Sequence, residues 1–202
     1  MSAAPPLALR AEAVACRRGG RTVFARLSLA VAPGAALLVT GPNGAGKSSL
    51  LKLLAGTLRP EAGTIERPER IAYLGHDNAL KPVLSVAENL LFWAGLAAPS
   101  RKVAEVRVEA AVAAVGIAPL WDVPARLLSS GQKRRTALAR VLASNAQLWL
   151  LDEPTVGLDA ASVERLGPVF ADHRAAGGMI VATSHTPLPL EGADTLLLGG
   201  RA

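Results

Sequence analysis

The chain has 202 residues, of which 50% are hydrophobic and only 3% are aromatic, and its formal net charge is +6. This length suits one well-cored α/β domain with at most a small subdomain, and it excludes two full domains. The longest uncharged span, 27–46, contains Pro33, Gly34 and a polar loop, so we predict no transmembrane helix. Charged residues interrupt the N-terminus, so we expect no secretory signal and a cytoplasmic chain. The single Cys16 fits a reducing compartment.

The basic residues are dispersed along the chain, and arginine exceeds lysine. This charge favours an anionic partner such as lipid, nucleic acid or nucleotide, or it reflects an arginine-rich genome.

The N-terminal half is predicted to form strands that flank one helix. Apolar patterns predict strands at 7–14, 27–31, 35–39 and 71–74, turns at 17–21 and 33–34, a helix at 50–54 and a loop at 59–63. The first two strands, joined by a turn, predict an antiparallel start.

The next part of the chain, 77–145, is predicted to form an inserted helical block. Ser85 and Glu88 have the spacing of a capping box ahead of a helix at 89–93. A second helix is predicted at 101–115, with an apolar stripe formed by Val103, Val106, Ala110 and Ala113. Strands follow at 147–151, 179–183 and 194–198, with a helix near 160–175. Strands that alternate with helices predict an α/β fold with a mostly parallel sheet and ligands at the carboxyl ends of its strands.

The predicted strand at 35–39 runs into a glycine-rich loop that ends in Lys47 and Ser48. The spacing G-x-x-x-x-G-K-S between a strand and a helix is that of a phosphate-cradling loop, and the alternative is a simple glycine-rich turn. Glycines let backbone N–H groups point inward, Lys47 carries positive charge to the β and γ phosphates, and Ser48 offers a hydroxyl to Mg²⁺. The predicted ATP- or GTP-binding residues are Gly41, Pro42, Asn43, Gly44, Ala45, Gly46, Lys47, Ser48 and Ser49.

A second apolar run, 148–151, ends abruptly in Asp152 and Glu153. A strand end would place both carboxylates beside the phosphate loop. Asp152 would then hold Mg²⁺ through water, and Glu153 would orient or deprotonate the water that attacks the γ-phosphorus. The alternative is an ordinary acidic strand end.

Residues 128–135, L-S-S-G-Q-K-R-R, start a helix that serines can cap, and the plain interpretation is a capped helix with a basic solvated face. The segment resembles the L-S-G-G-Q signature of nucleotide-binding subunits of ATP-binding cassette transporters, with Ser130 in place of the first glycine. The phosphate loop, signature, paired acids and a histidine follow the family's order across essentially the whole chain. This resemblance implies one ATPase domain over 1–202 with an antiparallel β subdomain and a helical subdomain at about 77–145. It also implies a homodimer in which the signature of one copy closes over the ATP of the other. The signature residues are Ser129, Ser130, Gly131 and Gln132.

The same resemblance implies further site roles. His185 falls where the family has its γ-phosphate-sensing catalytic histidine, and Asp159 falls in the segment used for cross-talk between the two ATP sites. Arg18 falls at the position of an aromatic residue that stacks on adenine, and a guanidinium plane can also stack on a base. His76, followed by Asp77, falls near a glutamine that touches Mg²⁺, although metal ligation by His76 is not the favoured interpretation.

Segments 73–76, 80–90 and 185–188 are similar to the ATP-binding subunits of bacterial cytochrome c maturation systems, which are described as haem exporters. The similarity implies a peripheral ATPase on the cytoplasmic face of the inner membrane, using ATP with Mg²⁺ to drive integral membrane partners that release a haem-loaded chaperone. Exporters of drugs, lipids or polysaccharides are the alternative within the family. A soluble cassette ATPase acting on DNA or ribosomes would need a concentrated basic face, so no nucleic-acid partner is expected.

Overall fold

In the computed structural model, which describes residues 8–199, the strands form two separate sheets. The strands are β1 (Leu9–Arg18), β2 (Arg21–Val31), β3 (Ala36–Thr40), β4 (Ala62–Glu66), β5 (Ile71–Leu74), β6 (Leu148–Asp152), β7 (Met179–Thr183) and β8 (Asp194–Leu197). The α-helices are α1 (Lys47–Ala55), α2 (Val86–Gly95), α3 (Arg101–Ala114), α4 (Ser130–Ala143), α5 (Ala160–Glu164) and α6 (Leu166–Ala175). Short 3₁₀ turns span Ala118–Leu120 and Ala125–Leu127.

The smaller sheet is antiparallel, with strand order β2-β1-β4. The predicted strands at 7–14 and 27–31 are parts of longer strands that meet at Gly19 and Gly20, while Leu7 lies outside the described residues. The loop predicted at 59–63 is wrong at its end, because β4 begins there and pairs Ile65 with Ala11 of β1. Ile65 is the only β4 residue that is not exposed, so this strand is held by backbone pairing and carries no apolar alternation.

The larger sheet has five strands in the order β5-β6-β7-β3-β8, and all of its neighbours are parallel. This confirms the predicted α/β fold class. Thr183 at the end of β7 is in register with Asp152 of β6 on one side and with Val39 of β3 on the other. The phosphate loop, the paired acids and the segment that carries His185 therefore leave the sheet side by side.

Strand β6, an interior strand of the larger sheet, is buried along its whole length and contributes to two separate hydrophobic clusters. Leu148 and Leu150 pack on the side of α1 and the antiparallel sheet. Trp149 and Leu151 pack on the opposite side with residues of α2, α3, α4 and α6. The helix that follows the phosphate loop and the helix that follows the signature thus lie on opposite faces of one strand.

Between β5 and β6 the chain forms α2, α3 and α4. The capping box at α2 is confirmed, since the Ser85 hydroxyl accepts from the Glu88 N–H and the Glu88 carboxylate accepts from the Ser85 N–H. The predicted stripe on α3 is wrong: Val106 is 59% exposed, and the same helix buries a different set of residues. The buried set is Ala104, Val108, Ala111 and Val112.

The single helix predicted near 160–175 is two helices that meet at Arg165. Pro168 lies in the first turn of α6, where a missing N–H costs no intrahelical hydrogen bond. Across residues 8–199, the helices lack the combination of length and apolar character that a bilayer crossing requires.

Candidate functional site

A cleft of about 1430 Å³ lies at the carboxyl edge of the parallel sheet. The predicted site residues that line it are Arg18, Asn43, Gly44, Gly46, Lys47, Ser48, Ser49, His76, Ser130, Asp152, Glu153 and His185. Other predicted residues belong to the same segments without lining the cleft: Gly41, Pro42, Ala45, Asp77, Ser129, Gly131, Gln132 and Asp159. The fold therefore brings together motifs that are more than 100 residues apart in the chain.

The phosphate loop requires glycine for two reasons. Gly41, Gly44 and Gly46 have φ angles of 136°, 81° and 100°, in the left-handed region that other residues rarely adopt. A Cβ at Gly41 would also lie 2.2 Å from the carbonyl oxygen of Leu198, and one at Gly46 would lie 2.4 Å from Val23. The loop is thus packed against β2 and the end of β8 by its own backbone.

Lys47 is the first residue of α1 and is only 8% exposed. Its ammonium donates to the carbonyl oxygens of Gly41 at 2.7 Å and Pro42 at 3.2 Å. It also lies 3.2 Å from Nε2 of His185, and because an ammonium has only donors, this ring nitrogen is the acceptor. Within residues 8–199 this ammonium forms no ion pair with a carboxylate, so its positive charge is available to phosphate oxygens.

Both acidic residues at the end of β6 are held by Thr183, a residue that sequence analysis did not select. The Thr183 hydroxyl donates to Oδ1 of Asp152 at 2.8 Å and accepts from the Glu153 N–H at 3.0 Å. Asp152 is 5% exposed, so its position is fixed by a buried hydrogen bond. Only the strand register identifies Thr183 as their partner, because it lies 31 and 30 positions away in the chain.

Glu153 has a φ of 50°, in the left-handed region, which costs a non-glycine residue about 1–3 kcal/mol. Its Oε2 accepts from the His185 N–H at 3.2 Å. Its Oε1 lies 3.6 Å from His185 Nε2, beyond hydrogen-bonding distance, and is buried with no hydrogen-bond partner within residues 8–199. The strained backbone therefore presents one carboxylate oxygen that is ready to accept a hydrogen bond.

Arg134 of α4 is a further residue of this edge that sequence analysis missed. It is 5% exposed and donates to the backbone carbonyls of Asp152 and Glu153, so the interpretation of 133–135 as a solvated basic face is wrong for this residue. Burial lowers the pKa of Arg134 from its ordinary value, while the nearby carboxylates of Asp152 and Glu153 raise it. The alternation of charged and apolar residues along α4 gives no sign of this burial.

The start of α4 is closed by a capping box. The Ser129 hydroxyl accepts from the Gln132 N–H at 3.2 Å, and the Gln132 side chain accepts from the Ser129 N–H at 2.8 Å. A Cβ at Gly131 would lie 2.7 Å from the carbonyl oxygen of Gly157, whereas Ser130 lines the cleft. The first position of the pair 130–131 thus accommodates a side chain and the second does not.

Asp159 caps α5, with its Oδ1 accepting from the Ser162 N–H at 2.8 Å. Hydrogen bonds with Ser162 lower the pKa of the Asp159 carboxyl. This residue therefore has a local structural role at the start of the helix, in the segment that follows Gly157.

The loop after β5 turns three polar side chains in different directions. His76 is exposed and lines the cleft, whereas Asp77 accepts from the Ala79 N–H at 3.2 Å and closes a local turn. Asn78, which sequence analysis did not select, lines the cleft and accepts from Arg134 at 3.3 Å. The amide side chain of Asn78 therefore enters the cleft at the position that directly follows His76 and Asp77.

The oxygen donors at this edge fit Mg²⁺, a cation that prefers hydroxyl, carboxylate, phosphate and water oxygens. Ser48, Asp152 and Glu153 line the same cleft. Within residues 8–199, no three His, Cys, Asp or Glu side chains converge on one position, so the protein side chains alone form no closed cage for a metal ion.

Comparison with known proteins shows similarity to one family. The family model described as ABC transporter matches residues 24–156. The cytochrome c biogenesis ATP-binding export protein CcmA of Paramagnetospirillum magneticum is 52% identical over 93% of this chain and 92% of its own length. The protein of the same name from Rhodospirillum rubrum is 49% identical over 96% and 86%.

Two solved structures have the same fold. One, described as an ATP-binding subunit of an ABC transporter, aligns with a TM-score of 0.85 at 21% identity, covering 94% of this chain and 85% of the other. The other, cbiO1 from Clostridium perfringens, described as part of the ABC transporter complex cbiONQ, aligns with a TM-score of 0.77 at 27% identity, covering 94% and 84%.

Proposed function

The chain belongs to the ABC transporter family, and from this premise we propose that it is the ATP-hydrolysing subunit of a membrane export complex for cytochrome c biogenesis. The observation that carries the proposal is its similarity, at 45–52% identity over at least 92% of the chain, to relatives that all bear the name of a cytochrome c biogenesis ATP-binding export protein. The transported or released species in this proposal is haem or a haem-loaded chaperone.

ATP binds in the cleft with its phosphates on the loop 41–49. The electropositive ammonium of Lys47 and the N-terminus of α1 attract the β and γ phosphates. On ligand binding, Lys47 exchanges its backbone acceptors for phosphate oxygens. Arg18, exposed at the end of β1, lies at the cleft where its guanidinium can stack on adenine.

Ser48 and Asp152 are the residues that would hold Mg²⁺, with phosphate oxygens and water completing its coordination. The ion supplies charge neutralisation of the phosphates when it is bound. His76 is exposed and approaches the cleft from the loop after β5, and we assign it no metal ligation.

Glu153 is the proposed general base. Its unpartnered Oε1 can accept a proton or a hydrogen bond from the attacking water, while its Oε2 is held by the His185 N–H. In this proposal the His185 side chain, which lies between Lys47 and Glu153, contacts the γ-phosphate. Because the same side chain lies beside Glu153, it couples the presence of the phosphate to the carboxylate.

Two copies of the chain complete each ATP site in this proposal. Ser129, Ser130, Gly131 and Gln132 of one copy face the ATP of the other. The N–H groups of Ser130 and Gly131, which the Ser129 cap does not engage, are available to its phosphate oxygens. Asp159 and its neighbours connect the two sites. The subunit sits peripherally on the cytoplasmic face of the inner membrane, bound to integral membrane subunits.

The biological assignment is tested by deleting the gene and restoring either the wild-type chain or Lys47→Ala. We expect loss of c-type cytochromes in the deletion strain, recovery with wild type and none with Lys47→Ala. Normal c-type cytochromes in the deletion strain would reject the cytochrome c assignment and leave an exporter of another substrate. A tagged pull-down from solubilised membranes identifies the membrane subunits.

The chemical assignment is tested with Glu153→Gln. This variant keeps the shape of the side chain and removes the base, so it should bind MgATP and accumulate as a dimer with little hydrolysis. Light scattering after size exclusion, with and without MgATP, measures the dimer. Undiminished turnover would exclude Glu153 as the base, and a monomer at saturating MgATP would count against the shared site.

A further inference from the structure

Arg134 makes an unusually complete set of contacts for one side chain. Its guanidinium, 5% exposed, donates to the carbonyl oxygens of Asp152, Glu153 and Pro154, which are consecutive in the chain. Its Nη1 also donates to the carbonyl oxygen of Gly75 at 2.8 Å and to Oδ1 of Asn78 at 3.3 Å. One planar group therefore joins three segments: α4, the end of β6 and the loop after β5.

At the end of β6, Arg134 contacts backbone carbonyl oxygens, which limits the roles that its guanidinium can have in ATP hydrolysis. A carbonyl oxygen takes no part in proton transfer at pH 7, and the side-chain oxygens of Glu153 are engaged with His185 or unpartnered. Arg134 therefore donates no hydrogen bond to the Glu153 carboxylate, and its hydrogen bonds act on the path of the chain.

The path of the chain is unusual at this point, because Glu153 has its φ at 50°. A left-handed non-glycine residue persists only where the surroundings fix it. The Glu153 N–H is held by Thr183, and the carbonyls before, at and after Glu153 are held by Arg134. Hydrogen bonds with Thr183 and with Arg134 thus together fix the direction in which the Glu153 side chain leaves the backbone.

We propose that Arg134 is a positioning residue for ATP hydrolysis: it fixes the left-handed backbone at Glu153, so that the carboxylate points at the reacting water, and it ties that backbone to the loop 75–78. The proposal rests on the proposed function, since it assigns a use to the Glu153 carboxylate. Displacement of Gly75 or Asn78 would reach Glu153 through a single rigid guanidinium.

Arg134→Lys is the direct test, because lysine keeps the charge but cannot match the planar fork of donors. The matched control is Arg135→Lys on the same helix, whose arginine makes one exposed hydrogen bond to Gly116. All variants are purified as the full chain with its membrane subunits, and kcat, the MgATP dissociation constant and the melting temperature are measured.

We expect Arg134→Lys to lower kcat by about 100-fold, the cost of misplacing a reacting group by about 1 Å, with an unchanged dissociation constant. A purely structural role would lower the melting temperature and leave kcat of the folded fraction unaltered. If Arg134→Lys does not fold, Asn78→Ala removes only one contact of the guanidinium and should lower kcat by a smaller factor, again at unchanged affinity.

A second measurement places Arg134→Lys in the Glu153→Gln background. The residual rate should not fall further, because the carboxylate that Arg134 positions is already gone. A further fall, or a loss of MgATP affinity that matches the loss of rate, would overturn the positioning role. Unaltered kcat in folded Arg134→Lys or Asn78→Ala would overturn it too. A wild-type complex that does not hydrolyse ATP would overturn the proposed function together with this one.

Discussion

The stability of the protein should fall in mild acid because of one histidine, His173, which packs against strand β6. The ring of His173 on α6 stacks on Trp149 of β6 with centroids 3.6 Å apart and planes 6° apart. Within residues 8–199, Nε2 of His173 and Nε1 of Trp149 are buried without hydrogen-bond partners. A positive charge on this ring would be desolvated and unpaired.

Burial lowers the pKa of His173 from 6.5 to about 4. The folded protein therefore keeps the ring neutral over a range in which the unfolded chain protonates it, so stability is complete above about pH 6.5 and is lost as the pH falls towards 4. At 1.36 kcal/mol per pKa unit the upper limit of the loss is about 3 kcal/mol. Because the ring is partly exposed to solvent, we expect about 2 kcal/mol.

The assay is urea unfolding of the wild-type chain and of His173→Phe at about pH 7.5 and about pH 4.5, which lie above and below the pKa of 6.5 in the unfolded chain. Phenylalanine keeps an aromatic ring against Trp149 and cannot be protonated. The wild type should lose about 2 kcal/mol more than the variant between the two pH values, since all other titrating groups are shared. Equal losses in the two proteins would refute the reasoning.

Four substitutions test the phosphate loop, the signature segment and the adenine contact. Lys47→Ala should weaken MgATP binding by about 10- to 100-fold, the worth of a hydrogen bond to a charged group, and an unchanged dissociation constant would contradict the role of the lysine. Gly131→Ala should abolish most ATPase activity, because the added Cβ would lie 2.7 Å from the Gly157 carbonyl oxygen. Ser130→Ala should retain the activity. Similar rates for the two variants would show that the close approach of Gly131 to Gly157 is not needed. Arg18→Ala should weaken ATP by about tenfold through loss of base stacking and leave tripolyphosphate affinity unchanged, so equal losses for both ligands would remove Arg18 from the adenine site.

Among the features that the sequence predicts and the structure shows are two apolar strands that each end in a chemically specific group. The phosphate loop and the pair Asp152 and Glu153 each follow a buried strand, and parallel strands bring their carboxyl ends to one edge. Thr183 and Arg134 were missed because their contacts depend on which strands are neighbours and on how a helix packs against them. Neither piece of information is present in local spacing.

The error in the buried face of α3 and the error in the start of β4 have a similar origin. Helix α3 is so rich in alanine and valine that it has two apolar stripes, and the stripe containing Val106 is no less hydrophobic than the one that contains Val108. Tertiary packing chooses between them. Strand β4 shows no alternation at all, because its Ile65 is the one residue that is partly buried and its backbone pairs with β1.

The position of β6 between two hydrophobic clusters has a consequence for hydrogen exchange. An amide in this strand is shielded from both faces by separate cores, and from both edges by β5 and β7. Amides near Leu150 should therefore exchange only when the whole domain unfolds, and the two acids project from the end of this slowly exchanging strand.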